Sequence, residues 1–217
     1  MAQKTKKNNT GSIFDLFKVM QLTRAQVQYG YAIGGLKKNQ LSTLAEHHYL
    51  VTFIGWQLAD MAKQAGASID PFKVVKICMV HDLGELFGGD IGMPYARRFP
   101  KAKAAARKFE EYNAVFLSTL FGGRKTKFME LWNEATEPKT DEGQIAKLAD
   151  LLEIFTFRHY NDVLYKADDV LAKERMPKAV SKIKDPIARK TMDAMVKDYL
   201  KNFRKGDALS IISGMEK

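Results

Sequence analysis

Apolar residues recur at helical spacing along most of this 217-residue chain, and no stretch alternates apolar and polar positions as a half-buried strand would. The first strong pattern begins at Leu44, where Thr43 and Glu46 fit the capping box that starts a helix, and it stops at Gly66. An apolar stripe that includes His47 runs along this predicted helix, and its other members are Leu44, Val51, Ile54, Leu58 and Met61.

Further helices are predicted downstream. Pro71 opens one that runs into His81, because proline is tolerated in the first turn of a helix. Another follows Pro100 and closes at the Gly122-Gly123 pair. A shorter helix spans about residues 125–135.

The two last patterns differ in character. The segment that Asp141 and Gln144 can cap is apolar on nearly all sides, which is typical of a central, buried helix. Residues 178–203 form a lysine-rich amphipathic segment and are expected to be peripheral. The pattern as a whole predicts an all-α fold.

Length and composition favour one domain. The chain is 46% hydrophobic and 11% aromatic, as globular proteins are, and its length does not demand a second core. We expect a disordered polar tail over residues 1–11, a single domain over 12–204 and a second tail over 205–217. The single cysteine, Cys78, excludes an internal disulfide framework. No apolar stretch is long enough to span a bilayer and none resembles a secretion signal, so a cytoplasmic location is expected, without membrane contact.

The excess of basic residues has two interpretations: solvated helix faces with a frayed basic tail, or attraction of an anionic ligand. Lysine and arginine exceed aspartate and glutamate by 35 to 25, which gives a net charge of +10 that attracts anions at long range. A phosphorylated small molecule and a nucleic acid are both candidates. The basic residues are spread over many segments and are not interleaved with aromatic residues as in RNA-binding sheets, so nucleic acid is not favoured.

Candidate chemistry centres on the adjacent pair His81-Asp82. An imidazole nitrogen and a carboxylate oxygen suit a borderline or hard divalent cation, and His47 and Asp150 are placed on helices that could supply further ligands. Each has a structural alternative: His47 could be a hydrogen-bonded core residue, and Lys147 could neutralise Asp150 as an ion pair. His48 and His159 are interpreted as packing and surface residues.

The motifs resemble those of the HD-domain metal-dependent phosphohydrolases, and among these the 5′-deoxynucleotidases most. The resemblance rests on three blocks in order: Ala45-Glu46-His47; His81-Asp82 with Glu85 and Gly89-Asp90; and Lys147-Leu148-Ala149-Asp150-Leu151-Leu152-Glu153. It implies a single-domain helical bundle with a metal site between central helices, a recognisable core over about 24–160 and additional C-terminal helices over 161–204.

The resemblance also implies a site. One divalent cation (manganese, cobalt, zinc, iron, nickel or magnesium) would be held by the ligand set His47, His81, Asp82 and Asp150. Glu85 would be the acid/base group that handles the proton of the attacking water, and Asp90 would bind the sugar hydroxyl of the substrate. The alternative for Asp90 is a capping role in the turn after Gly88-Gly89. The resemblance further suggests a homodimer.

The phosphate-binding part departs from the family pattern. Arg24 is the candidate for binding phosphate, because a guanidinium can bind two phosphate oxygens at once. Lys37-Lys38, after a glycine pair, is the alternative.

Three functions follow. The first is a hydrolase that uses a metal-activated water to release phosphate from a (deoxy)nucleoside 5′-monophosphate. The second is a phosphodiesterase or nucleoside-triphosphate hydrolase of the same superfamily. The third is a non-catalytic module that binds a nucleotide or RNA. Glu85 favours catalysis, since a purely structural metal needs no acid/base group beside it.

Overall fold

This computed structural model describes residues 13–214, and the regular secondary structure of these residues is helical. The predicted N-terminal tail, 1–11, lies outside them. The α-helices are α1 (Ile13–Met20), α2 (Leu44–Gln64), α3 (Pro71–Val80), α4 (Met93–Arg98), α5 (Pro100–Leu120), α6 (Lys125–Thr136), α7 (Asp141–Tyr160), α8 (Lys166–Ser181), α9 (Pro186–Asn202) and α10 (Ala208–Ser213). Short 3₁₀ turns and two isolated β-bridges complete the secondary structure of this range. The all-α prediction is confirmed.

The helix starts follow local rules. Thr43 and Glu46 form the predicted capping box of α2: the Thr43 hydroxyl accepts the N–H of Glu46, and the Glu46 carboxylate accepts the N–H of Thr43 at 2.7 Å. At α3 the Asp70 carboxylate accepts the N–H of Phe72, and Pro71 occupies the first helical position. Satisfying the free N–H groups at these ends sets where each helix begins.

The cap of α7 differs from the prediction. Thr140, and not Asp141 or Gln144, accepts the N–H of Gly143. The Asp141 carboxylate instead accepts the backbone N–H groups of Lys184 and Asp185, and the Gln144 side chain donates to a carbonyl. Asp141 therefore fastens the loop before α9 to the start of α7.

The segment predicted as one peripheral helix over 178–203 is two helices, α8 and α9. The chain breaks at Asp185-Pro186, where Asp185 caps the new helix and proline takes its first position. Their inner faces are fully buried, with Met176 and Met192 both at 0% exposure. The lysines mark only the outer faces of helices that belong to the main core. Both α8 and α9 lie in the range 161–204.

Three central helices, α2, α3 and α7, pack together and hold the centre of the main core. Gly55 of α2 allows this close packing, because a Cβ atom there would lie 2.6 Å from the Cys78 sulfur and 3.5 Å from the Ala149 Cβ. A second apolar cluster joins α5 and α6 to the turn after α3 and contains Trp132.

The last described residues return to the domain. α10 lies in the segment expected to be a tail, and His159 donates to the carbonyl oxygen of Gly206 at 2.8 Å. His159 thus has a structural contact that does not involve the His81-Asp82 pair. In the part of the chain described, no helix combines the length and apolar character needed to cross a membrane.

Candidate metal centre

The three central helices bring the predicted ligands together. His47 lies in the first turn of α2, His81 directly follows α3, and Asp150 lies in the middle of α7. The Nε2 atoms of His47 and His81 are 3.0 Å apart. Asp82 Oδ2 lies 3.5 Å from the first of these nitrogens and 3.1 Å from the second. Asp150 Oδ1 lies 3.6 Å from the Nε2 of His47.

The other ring nitrogen of each histidine is already engaged. His47 Nδ1 lies 2.7 Å from Glu153 Oε2, and His81 Nδ1 lies 2.7 Å from the carbonyl oxygen of Cys78. Both acceptors favour a proton on Nδ1, so Nε2 is the nitrogen that each ring can offer to a cation in exchange for a proton. Two Nε2 atoms that face each other beside two carboxylates fit a bound cation, and carboxylate support of a ligand histidine is common at metal sites. The donor set therefore suits a divalent metal.

The two carboxyl groups are held as anions. Burial opposes the negative charge of Asp82. The neighbouring His81 and His47 outweigh the effect of burial and hold the pKa of Asp82 well below the usual range. Burial also opposes the charge of Asp150, and Lys147 and His47 lower its pKa. The Lys147 ammonium lies 2.6 Å from Asp150 Oδ2, while Oδ1 faces the histidines. Asp150 thus forms the predicted ion pair with Lys147 through Oδ2, and its Oδ1 stays available as a ligand.

Glu85 closes the short turn Leu83–Glu85 that follows the His81-Asp82 pair. It lines an inner pocket of about 170 Å³ together with Asp82 and Asp150. Burial raises the pKa of Glu85 well above its usual value, and the charges of Asp82 and Asp90 add to this effect. A carboxyl group whose pKa is raised in this way holds a proton more readily than a free carboxyl group, which suits a role in proton transfer.

Asp90 is held by a contact with Gly30 and not by the turn after Gly88-Gly89. Its carboxylate accepts the backbone N–H of Gly30, and a Cβ at Gly30 would come within 3.2 Å of both carboxylate oxygens. Glycine at this position therefore permits the close approach. Gly88 and Gly89 adopt φ values of 103° and 109°, which the turn toward Asp90 requires.

The predicted phosphate-binding residues lie apart from the inner pocket. Arg24 is exposed, and its Nε donates to Gln21 Oε1 at 3.0 Å. Lys37 and Lys38 are exposed at the start of a 3₁₀ turn. None of the three lines the inner pocket, whose cationic side chains are Arg107 and Lys147.

Three supporting residues were not singled out by the sequence. Glu153 is 2% exposed and holds His47. The Tyr31 hydroxyl donates to the same Glu153 oxygen at 3.2 Å, and Gln28 Nε2 lies 3.4 Å from Asp82 Oδ2. A signal existed for Glu153, because it follows Asp150 by three positions and so shares its face of α7. Gln28 precedes and Tyr31 lies within the short 3₁₀ helix Tyr29–Gly34, which carries no such periodicity.

His48 packs beside the candidate metal centre, and none of its atoms is in the group of possible ligand atoms. Its ring centroid lies 4.8 Å from that of His81, and burial lowers its pKa well below the usual value, which keeps it uncharged. The tightest grouping of possible ligand atoms within the described chain comprises His47, His81 and Asp82. Asp150 stands outside this grouping, with its Oδ1 3.6 Å from the Nε2 of His47 and 4.0 Å from that of His81.

Comparison with known proteins identifies the family. The model of the HD domain family matches residues 35–195. The chain belongs to the HD domain family, and the resemblance to its metal-dependent phosphohydrolases is confirmed.

Among curated proteins, a 5′-deoxynucleotidase of Dictyostelium discoideum is 26% identical over 144 residues, which is 64% of this chain and 72% of that protein. A 5′-deoxynucleotidase of Pasteurella multocida is 25% identical over 118 residues, or 54% of this chain and 60% of that protein. Both matches include less than two thirds of this chain, so they bear on its activity only as a guide.

Solved structures share the fold. A Pyrococcus horikoshii protein superimposes with a TM-score of 0.64 at 22% identity and covers 87% of this chain and 98% of its own. A conserved hypothetical protein of Pyrococcus furiosus gives a TM-score of 0.61 at 24% identity, with 87% and 99% coverage. At these identities the likeness concerns the fold alone.

Proposed function

We propose that this chain releases phosphate from (deoxy)nucleoside 5′-monophosphates, with one divalent cation held by the ligand set His47, His81, Asp82 and Asp150. The observation that carries the proposal is the pair of imidazole Nε2 atoms 3.0 Å apart, beside two anionic carboxylates and a pocket that contains Glu85. The curated relatives, which are named as 5′-deoxynucleotidases, support the nucleotide substrate.

A bound divalent cation would polarise the phosphoryl group and lower the pKa of water. Glu85 takes the proton that the attacking water loses and passes it to the oxygen that leaves. In this reaction the oxygen of water forms a bond to phosphorus while the bond from phosphorus to the substrate oxygen breaks. Arg107 and Lys147, which line the inner pocket, balance the negative charge of the phosphate.

The remaining substrate contacts are assigned by resemblance. Asp90 would accept a hydrogen bond from the sugar hydroxyl, and its anchoring by Gly30 would keep the carboxylate in place. Arg24 stays a candidate phosphate ligand, although its present partner is Gln21. A substrate-induced movement of the segment that carries Arg24 would be required for that contact.

A homodimer is also proposed. Four aromatic side chains of α2 and α3 form an exposed apolar surface and are 46–70% exposed: Tyr49, Phe53, Trp56 and Phe72. Covering such a surface with a second copy would remove it from water. Light scattering of the purified chain gives the mass directly, and a monomer at all concentrations would refute the dimer.

The activity is tested by phosphate release from deoxynucleoside and ribonucleoside 5′-monophosphates after the metal-free chain is loaded with each divalent metal. Asp82→Ala is expected to lose bound metal and turnover together. Asp193→Ala is the matched control, because Asp193 pairs with Lys197 on the outer face of α9. Metal binding without phosphate release from any nucleotide would favour a binding module instead.

A further inference from the structure

A second cavity, here called the outer groove, continues from the inner pocket. It has a volume of about 670 Å³, within the range of pockets that bind small molecules. Glu85 and Lys147 line both cavities, so the two adjoin. The groove runs between α4–α5 and α8. Besides Lys147, six of its lining residues are cations: Arg97, Lys103, Arg107, Arg175, Lys178 and Lys182.

Most of these cations lack an acidic partner. Among residues 13–214, no carboxylate lies within 4.0 Å of the charged group of Lys103, Arg175, Lys178 or Lys182. Arg97 reaches Glu174 only at 4.0 Å. Burial raises the pKa of Glu110, an acidic residue of the groove, to about 7, which reduces its negative charge near neutral pH. Seven cationic side chains line the groove against five acidic ones, which are Glu85, Asp90, Glu110, Glu137 and Glu174. The groove therefore keeps a positive balance and has cationic donors without an acidic partner.

Arg175 is the most informative of the six. Its guanidinium is partly buried yet makes no hydrogen bond or ion pair to any described residue. Burial lowers the pKa of Arg175 and outweighs the charge of Asp150, which acts in the opposite direction. A partly buried guanidinium without a hydrogen-bonding partner is unfavourable unless an anion binds there, and phosphate oxygens match its planar donors.

The outer groove has more cationic side chains than are needed to balance the charge of one phosphate group. The phosphate that is cleaved has Arg107 and Lys147 in the inner pocket. No aromatic side chain appears among the groove-lining residues of the described range, so the stacking surface of single-strand nucleic-acid binders is missing. A small polyphosphorylated ligand suits this cavity better than a nucleic-acid strand.

We propose that the outer groove, through Arg175 and Lys178, binds a second phosphate group of the substrate, so that the preferred substrates are nucleotides with two or more phosphates. This inference rests on the proposed phosphohydrolase function. Monophosphates supply only the group that is cleaved, and the second phosphate adds binding in the groove.

The test compares kcat/KM for a deoxynucleoside 5′-monophosphate with that for its 3′,5′-bisphosphate and 5′-triphosphate at fixed ionic strength. We expect at least one polyphosphorylated substrate to be preferred by about tenfold or more, mainly through KM. Arg175→Gln with Lys178→Gln should remove this preference and leave the monophosphate within about twofold of wild type. Lys173→Gln is the matched control, because Lys173 is exposed on α8 and does not line the groove.

Three results would overturn the inference. Equal loss for all substrates would mean that Arg175 serves the cleaved phosphate. No preference in the wild type would leave the groove without a role in substrate choice. A 5′-phosphorylated oligonucleotide preferred over every mononucleotide would point to nucleic acid.

A binding measurement separates this inference from the proposed activity. Calorimetry with inorganic pyrophosphate and orthophosphate, on the metal-free chain in the presence of a chelator, requires no turnover. We expect pyrophosphate to bind more tightly, and Arg175→Gln, but not Lys173→Gln, to abolish the difference. If pyrophosphate is bound in this way and no nucleotide is hydrolysed, the proposed function fails while the groove assignment stands. If both anions bind equally, the groove assignment fails.

Discussion

Glu153 is the residue on which the orientation of His47 depends. Its carboxylate accepts from Nδ1 at 2.7 Å inside the core, and the Tyr31 hydroxyl completes the contact. We expect Glu153→Gln to weaken metal binding by about tenfold, the low end for loss of such a supporting group, because glutamine keeps the shape and loses the charge. Chelator competition measures the affinity. Tyr31→Phe, which leaves the carboxylate in place, should have a smaller effect, and unchanged affinity in a folded Glu153→Gln would refute the role.

Glu85 should affect turnover without affecting metal binding. Glu85→Gln removes the group that carries the proton, so kcat is expected to fall by about 10²–10⁴ while the metal content stays at the wild-type value. Glu130→Gln serves as the control, because Glu130 pairs with Lys127 on the exposed side of α6. Full activity in Glu85→Gln would show that another group moves the proton.

Residue types and spacing were enough to find the candidate ligands. The order of the three blocks selected His47, His81, Asp82 and Asp150. In the structure a carboxylate oxygen of each aspartate lies within 4.0 Å of the Nε2 atom of both histidines. The sequence could not show what supports them. Gln28 approaches from an irregular segment, and such contacts depend on how the chain folds back, which no local pattern encodes.

At the scale of helices, the closest packing is where Gly55 of α2 meets Cys78 of α3. Gly55→Ala would place a Cβ 2.6 Å from the Cys78 sulfur, so the helices must separate or the thiol must move. We expect a loss of about 1–3 kcal/mol in the free energy of unfolding, as overpacked cores show. Denaturant unfolding measures it.

The double variant tests this cause. If the clash is with the sulfur, Gly55→Ala combined with Cys78→Ala should lose less stability than the two single changes added together. Strict additivity would mean that the sulfur is not the obstacle.

Helix starts were predictable where the capping signal was local. The capping box at Thr43 and Glu46 and the proline at position 71 gave α2 and α3 their first residues. The prediction was wrong for residues 178–203, because lysines on the outer faces obscured the break at Asp185-Pro186. The cap of α7 was also wrong, since Asp141 is engaged by the N–H groups of Lys184 and Asp185, which are distant in sequence.

For the whole molecule, metal binding should stabilise the fold. The ligand set joins α2, α3 and α7, so a ligand that binds only the folded chain raises the unfolding free energy by about 2.7 kcal/mol at a hundredfold excess over its Kd. We expect a chelator to lower the Tm of the loaded wild type and to leave that of Asp82→Ala unchanged. Differential scanning calorimetry reports both values, and an equal shift in the two proteins would place the stabilising metal elsewhere.

The distribution of charge was visible only once the helices were placed. The sequence showed basic residues spread over many segments, and the fold gathers those of α4, α5 and α8 around one groove. The net charge indicates that an anion could bind, but the location of the binding site depends on which helix faces meet.

The most direct test of the metal site is the anomalous scattering of a crystal of the full chain loaded with one divalent metal, such as cobalt or zinc. We expect one strong peak at about 2.0–2.2 Å from Nε2 of both His47 and His81 and from a carboxylate oxygen of both Asp82 and Asp150. A metal bound away from these four residues, or held by the histidines alone, would contradict it.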